Sequence, residues 1–279
     1  MSDAIEQHVA EHYARGDLER AVLDALAASG KDPDRLELTD LSPVDEFHTG
    51  GRLSTVELAR QMEVAPGARL LDIGCGIGGP SRYFAAEHGC RVTGIDLTDD
   101  YIRLAAALAR RVGLDRLVDY RQASAIDLPF EAATFDGAYM MHVGMNIEDK
   151  PRLFAEVRRV LKPEGQFAIF DVMRAGEGTL AYPVHWAADA RTSFVASPSE
   201  YRRGLEAAGF DIVRERDRSD FAREFFRQVA ARAAEADGPP PLGLHLLMKS
   251  DVPQKLANVM GNLERGLIAP TELICRARA

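Results

Sequence analysis

From Arg69 onward, short apolar runs alternate with longer stretches whose apolar residues recur every three or four positions. The runs at 69–73, 91–95, 118–121, 135–140, 166–172 and 210–216 predict strands, and the stretches near 79–88, 99–112, 149–160 and 198–208 predict helices. Alternation of strand and helix implies a parallel sheet with helices on both faces, because a parallel connection must cross back over the sheet. Ahead of this unit, residues 3–28 read as two helices meeting at Gly16-Asp17, with Asp17 placed to cap the second. A polar stretch containing Pro43 follows, then a helix through about Met62. Behind the sixth strand the alternation breaks. SDFAREFFRQVAARAAEA spaces Phe221, Phe225, Val229 and Ala233 at helical intervals, the prolines at 239–241 stop it, and KLANVMGNLERGL is helical again before a last strand, ELICRARA.

The expected organisation is a helical N-terminal segment over 1–62, serving as a lid or dimer contact. A ligand-binding core over 63–217 is completed by a last strand in 267–279, and a helical cap fills 218–266. A chain of 279 residues can bury such a core without staples. It carries 34 Lys and Arg against 43 Asp and Glu, a net charge of −9, and no basic run longer than a pair such as Arg110-Arg111. That balance opposes a nucleic-acid partner. Cys75, Cys90 and Cys275 are too scattered for a disulfide framework or a metal site. The N-terminus is charged and amphipathic, and no run approaches the roughly 18 apolar residues of a membrane span. A cytoplasmic protein with no membrane partner is expected, as monomer or homodimer.

The most informative stretch is LLDIGCGIGGP at 70–80, where Gly74, Gly76 and Gly79 satisfy G-x-G-x-x-G between a strand and a helix. Such a turn aims backbone N–H groups and a helix N-terminus at a ligand, which suits the pyrophosphate of a nicotinamide dinucleotide. Asp72, two residues before the first glycine, opposes that reading because a carboxylate repels a diphosphate. A ligand presenting an ammonium group would instead gain a charge-assisted hydrogen bond. S-adenosylmethionine carries an ammonium there and no phosphate. Asp96 ends the second strand, placed to accept from ribose hydroxyls, and fits either cofactor.

The ordered series LLDIGCGIGGPSRYFA, VTGIDLT, ASAIDLPF, TFDGAYMMHVGMNI and RRVLKPEGQFAIFDV resembles the class I S-adenosylmethionine-dependent methyltransferases. The resemblance is to the small-molecule branch that includes sarcosine/dimethylglycine N-methyltransferases and ubiquinone- and tocopherol-type enzymes, over roughly residues 45 to 216. It implies an α/β fold: a doubly wound seven-stranded Rossmann-like sheet with N-terminal helices, an α-helical cap inserted before the last strand, and that strand antiparallel. Carried over residue by residue, Asp72, Gly74 and Gly76 would line the methionine part of the cofactor, Asp96 and Leu97 its ribose, and Ser124 and Ala125 its adenine. Ser124 stands where relatives often carry Asp. Met141 would pass beside the sulfonium, and FHTGG resembles a segment placing His48 and Gly50 near the cofactor carboxylate.

Methyl transfer from a sulfonium is one in-line displacement that yields S-adenosylhomocysteine, so positioning is the main demand on the enzyme. A general base is needed only when the acceptor enters protonated. His142, Asn146 and Asp171 are the candidates near the reacting atoms, with a packed ring as the plainer reading of His142 and a helix or loop cap as the alternative for Asp171. Asn146 stands where some sugar O-methyltransferase relatives carry histidine, which tilts the expectation toward a base-light reaction. Cys75 is read as a small packed residue. His185, Trp186, Phe221 and Phe225 are expected to line the acceptor pocket, with packing of loop and cap as the plainer alternative. The expected activity is methyl transfer to a nitrogen or oxygen of a small-molecule acceptor, with no metal. The alternatives are carbon methylation of an activated ring or prenyl diphosphate, an NAD(P)-dependent oxidoreductase, and a non-catalytic protein that retains the cofactor pocket.

Overall fold

A computed structural model describes residues 2–14, 16–235, 238, 240–248 and 251–279. Pro239, the first of the three prolines, lies outside them. The chain opens with helices α1 (Ser2–Tyr13), α2 (Leu18–Ala28), a single turn α3 (Ser42–Asp45) and α4 (Arg52–Gln61). The core then runs β1 (Arg69–Ile73), α5 (Gly79–His88), β2 (Arg91–Asp96), α6 (Asp99–Arg111), β3 (Val118–Gln122), β4 (Phe135–Met141), α7 (Lys150–Val160), β5 (Leu161–Arg174), α8 (Pro198–Ala207) and β6 (Phe210–Asp217). Helices α9 (Ser219–Glu235) and α10 (Val252–Glu264) precede β7 (Ile268–Ala277).

The seven strands form one sheet in the order β3-β2-β1-β4-β5-β7-β6. β7 is antiparallel to both of its neighbours and the other pairings are parallel. This is the doubly wound, Rossmann-like sheet with a reversed last strand. The order changes direction between β1 and β4, which opens a crevice beyond their carboxyl ends.

Several boundaries follow from local chemistry. Ser197 and Glu200 form a reciprocal capping box at the start of α8, with Pro198 in its first turn. Asp149 accepts from the Arg152 amide at 3.0 Å and caps α7. Asp17 departs from expectation: it holds the N-cap position of α2, but its side chain makes no capping bond. The last strand begins at Ile268, four residues before the predicted run, and contains Pro270. The proline is tolerated because β6 pairs β7 only from Thr271 onward, so no neighbour on that side needs an N–H from residue 270.

One face of the sheet buries Phe135, Phe167 and Ile169 against Leu153, Phe154 and Val157 of α7, with Tyr201 and Leu205 of α8. The other face packs Leu70, Tyr139 and Phe170 against Leu58 of α4 and Phe84 of α5. Two further clusters sit over the crevice. Leu18, Val22 and Leu26 of α2 pack on Leu104 and Leu108 of α6, while Phe226, Val259 and Leu263 of the cap pack on Trp186 and Val172. The N-terminal helices and the cap therefore each bury an apolar stripe against the core and meet above the carboxyl ends of the strands. Among the described residues, no helix is long and apolar enough to cross a membrane.

Candidate functional site

The turn after β1 is built from residues able to leave the usual backbone regions. Gly74, Gly76 and Gly78 have φ of 69°, 53° and 84°. A Cβ on Gly74 would stand 2.4 Å from Val143 Cγ2, whereas one on Gly76 would meet nothing within 4 Å. Gly74 thus lets the turn close on the exit of β4, and Gly76 leaves open space in which a ligand can approach the backbone.

Two carboxylates flank this turn. Asp72 is buried and accepts from the Ser81 hydroxyl at 2.6 Å, and burial pushes its pKa up to about 7. Asp96 accepts from the Gly76 amide at 3.0 Å and the Thr98 amide at 2.8 Å, with burial again raising its pKa. Paired acids at the mouth of the glycine loop repel a pyrophosphate and suit a ligand bearing an ammonium group and vicinal hydroxyls. S-adenosylmethionine has both, and the open face of Gly76 leaves room for it.

These groups line one cavity of about 1280 Å³. Gly74, Leu97 and Ala125 share the end formed by Asp72, Gly76 and Asp96. Met141, His142, His48 and Asn146 line its middle, and His185, Trp186 and Phe225 line it toward the cap. Four residues singled out from the sequence lie outside the wall. Gly50 packs on Ser54 and Phe221, and Phe221 lies under the Arg218 guanidinium at 4.3 Å. Ser124 donates its hydroxyl to Glu6 of α1. Asp171 is buried inside the sheet, accepting from the Tyr201 hydroxyl at 2.6 Å and the Val172 amide at 3.0 Å, and burial lifts its pKa to about 6. Asn146 is a brace: its amide donates to Trp186 O at 2.7 Å, and its Oδ1 accepts from Tyr13 at 3.3 Å. Cys75 is a buried thiol whose pKa burial raises far above its ordinary value.

The histidines are held in defined tautomers by their partners. His48 Nε2 lies 3.1 Å from the Gly51 carbonyl, which can only accept, so Nε2 carries the proton and Nδ1 the lone pair. Thr55 donates to Glu46 Oε2 at 2.7 Å and lies 3.1 Å from His48 Nε2, with Glu46 Oε2 itself 3.5 Å from that nitrogen. His142 Nδ1 accepts from the Thr49 amide at 3.4 Å, which leaves the proton on Nε2, a buried atom without a protein partner. Burial depresses the pKa of His48 and His185 to about 4 and that of His142 well below its ordinary value. All three rings are neutral near pH 7.

Sequence reasoning missed the acidic pair that precedes His48. Asp45 Oδ2 accepts from the Arg82 guanidinium at 2.8 Å, and Glu46 lines the cavity with its pKa pushed up to about 8, first by burial and then by Asp45. The available signal was the run DEFHTGG itself, in which both acids adjoin a segment already placed at the site.

Residues 71–169 match the family described as "Methyltransferase domain". Over 194 residues the chain is 27% identical to the glycine/sarcosine/dimethylglycine N-methyltransferase of Actinopolyspora halophila, covering 67% of this chain and 33% of that protein. The chain spans between 33% and 62% of the length of the first curated relatives it matches. Its fold is similar to that of geranyl diphosphate C-methyltransferase from Streptomyces coelicolor A3(2), with a TM-score of 0.72 at 19% identity over 99% of this chain and 98% of that one. It is also similar to the [4+2]-cyclase SpnF, with a TM-score of 0.69 at 24% identity over 98% and 97%. Residues 71–169 are thus a methyltransferase domain of class I, the S-adenosylmethionine-dependent type, on the Rossmann-like sheet of that class.

Proposed function

We propose that a chain carrying this domain transfers a methyl group from S-adenosylmethionine to a hydroxyl oxygen or a neutral nitrogen of a small, largely apolar molecule. One observation carries the reading: a single cavity joins the Asp72–Asp96 end to an apolar cap wall that includes Phe225, Phe226, Leu256 and Val259, with uncharged histidines between. Its volume of about 1280 Å³ leaves room for an acceptor beside the cofactor, since pockets for single ligands run roughly 300–1,000 Å³.

Asp72 would take the ammonium of the cofactor, Asp96 and Leu97 its ribose, and Ala125 its adenine, with Met141 beside the sulfur. The bound cofactor supplies an activated methyl group. The chain holds the acceptor in line and excludes water, and such positioning can be worth about 7–11 kcal/mol. For a hydroxyl acceptor, the His48 Nδ1 lone pair takes the proton while Nε2 keeps its own, donated to Gly51 O. Glu46, 3.5 Å from Nε2, can favour the imidazolium so formed only once it has ionised, that is, as pH rises through about 8. His142 Nε2–H donates to the acceptor oxygen. Asn146 and Asp171 hold the surroundings of the site.

A neutral acceptor is favoured over a diphosphate. Among the described wall residues, Arg232 is the one Lys or Arg, and it is exposed. The test is incubation with methyl-deuterated S-adenosylmethionine and fractionated small-molecule extracts, followed by mass spectrometry. Labelled product from the wild type and none from Asp96→Ala is the expected result. Label on carbon or on a diphosphate ester would overturn the acceptor assignment. Firm S-adenosylhomocysteine binding with no label from any fraction would move the chain to a non-methylating use of the pocket. A thermal shift with NAD and none with S-adenosylhomocysteine would revive the oxidoreductase alternative.

A further inference from the structure

Ser124 is a neutral hydroxyl just outside the wall, between the lining residues Ala123 and Ala125 where adenine would lie, yet a carboxylate sits on it. Glu6 of α1, 118 residues earlier, accepts the Ser124 hydroxyl proton and lines the cavity. Ser124 Oγ also accepts from the Ile126 amide at 3.2 Å, so both faces of the hydroxyl are engaged within the protein. A carboxylate offers about four lone-pair sites, and the Ser124 hydroxyl uses one. The neighbouring wall, Leu97, Ala123, Ala125 and Ile126, is apolar. It suits the faces of a purine but not its exocyclic amine, a donor that needs an acceptor at its edge.

We infer that Glu6, delivered by the N-terminal helix, is the acceptor for the adenine amino group, so that α1 completes the cofactor site. The inference rests on the S-adenosylmethionine reading and adds a residue to it. The same helix reaches the other end of the cavity. His12 Nε2 lies 3.1 Å from His185 O, and the Tyr13 hydroxyl donates to Asn146 at 3.3 Å. A cofactor that engages Glu6 therefore also steadies the part of α1 that touches the acceptor side, which couples cofactor binding to closure over the acceptor.

The test is calorimetric titration with S-adenosylhomocysteine and with S-inosylhomocysteine, which replaces the amino group by a carbonyl. The proteins compared are the wild type, Glu6→Gln, Glu6→Ala and the double variant Glu6→Ala/Ser124→Asp. A charge-assisted hydrogen bond predicts that Glu6→Ala weakens S-adenosylhomocysteine about tenfold or more, with Glu6→Gln in between. The wild type should prefer the adenine form by a similar factor, Glu6→Ala should lose that preference, and the double variant should regain it, because Ser124→Asp returns a carboxylate to the same edge. Affinity of Glu6→Ala within twofold of wild type, or an equal loss for both ligands, overturns the inference and leaves the cofactor reading standing. Failure of the wild type to bind either ligand overturns both.

Discussion

The Arg82 guanidinium donates to Asp45 Oδ2 at 2.8 Å with both side chains shut away from water, which ties the turn α3 to α5 behind the glycine loop. The same guanidinium donates to Ile77 O at 2.7 Å, inside the loop. The pair therefore holds the segment carrying Glu46 and His48 against the turn that would cradle the cofactor.

Removing one member leaves a buried charge without its partner. Arg82→Met should cost about 3–5 kcal/mol in urea unfolding. Arg82→Met/Asp45→Asn should cost less than the sum of its two single changes, because neither charge is then stranded. Additive losses would mean that the ion pair does not couple the two segments.

The two open-loop glycines should fail differently. Gly74→Ala combines a left-handed φ with a Cβ 2.4 Å from Val143 and should lower stability by about 1–3 kcal/mol or more. Gly76→Ala meets open space, so the protein should stay folded with a smaller loss while S-adenosylhomocysteine affinity falls, because the methyl group occupies the ligand's approach. Melting temperature and binding, measured on both variants, separate the roles. Unchanged affinity in a folded Gly76→Ala would remove the ligand from that side of the loop.

The acidic site group Glu46 sets a pH trend. Its folded pKa of about 8 lies above the ordinary 4.5, so between these values the folded state keeps a proton that the unfolded chain has released. The stability this group contributes is complete below about pH 4.5 and is lost as pH rises through 8. His48 acts at the other end. Its pKa falls from 6.5 to about 4, so its contribution is present above 6.5 and lost as pH falls through 4. Melting curves from pH 5 to 9 should show Glu46→Gln gaining on the wild type as pH rises. Parallel curves would mean that Glu46 is already ionised in the fold.

Asn146 bridges three segments through Trp186 O and the Tyr13 hydroxyl. Asn146→Ala should cost roughly 1–3 kcal/mol, because it strands buried polar partners. Trp186 is the chain's one tryptophan, buried at 2% exposure, so its emission reports on the loop directly. A red shift in the variant is expected, and unchanged emission and melting would show the brace to be dispensable.

Local sequence determined every strand of the sheet's parallel part, because strands covered on both faces leave short, nearly continuous apolar runs that a short window records. The placement of Asp72, Gly74, Gly76 and Asp96 around one turn was legible too: it comes from the ends of two adjacent strands and the turn after the first, where backbone direction fixes which way they face. Side-chain partnerships across long separations left no such trace. Asp171 reads as a site residue from its place at the end of β5, but the packing of α8 puts Tyr201 against it and closes it inside. Asp17 has the right type and position for a cap, yet its capping bond is not made. Ser124 alone looks like a weakened contact, and only the docking of α1, driven by apolar burial elsewhere along the N-terminal helices, brings Glu6 to it. The sequence by itself therefore determined the sheet, the glycine turn and the acids at its mouth. Tertiary structure decided which of the remaining polar groups face the cavity, because that depends on how helices distant in sequence pack over the sheet edge.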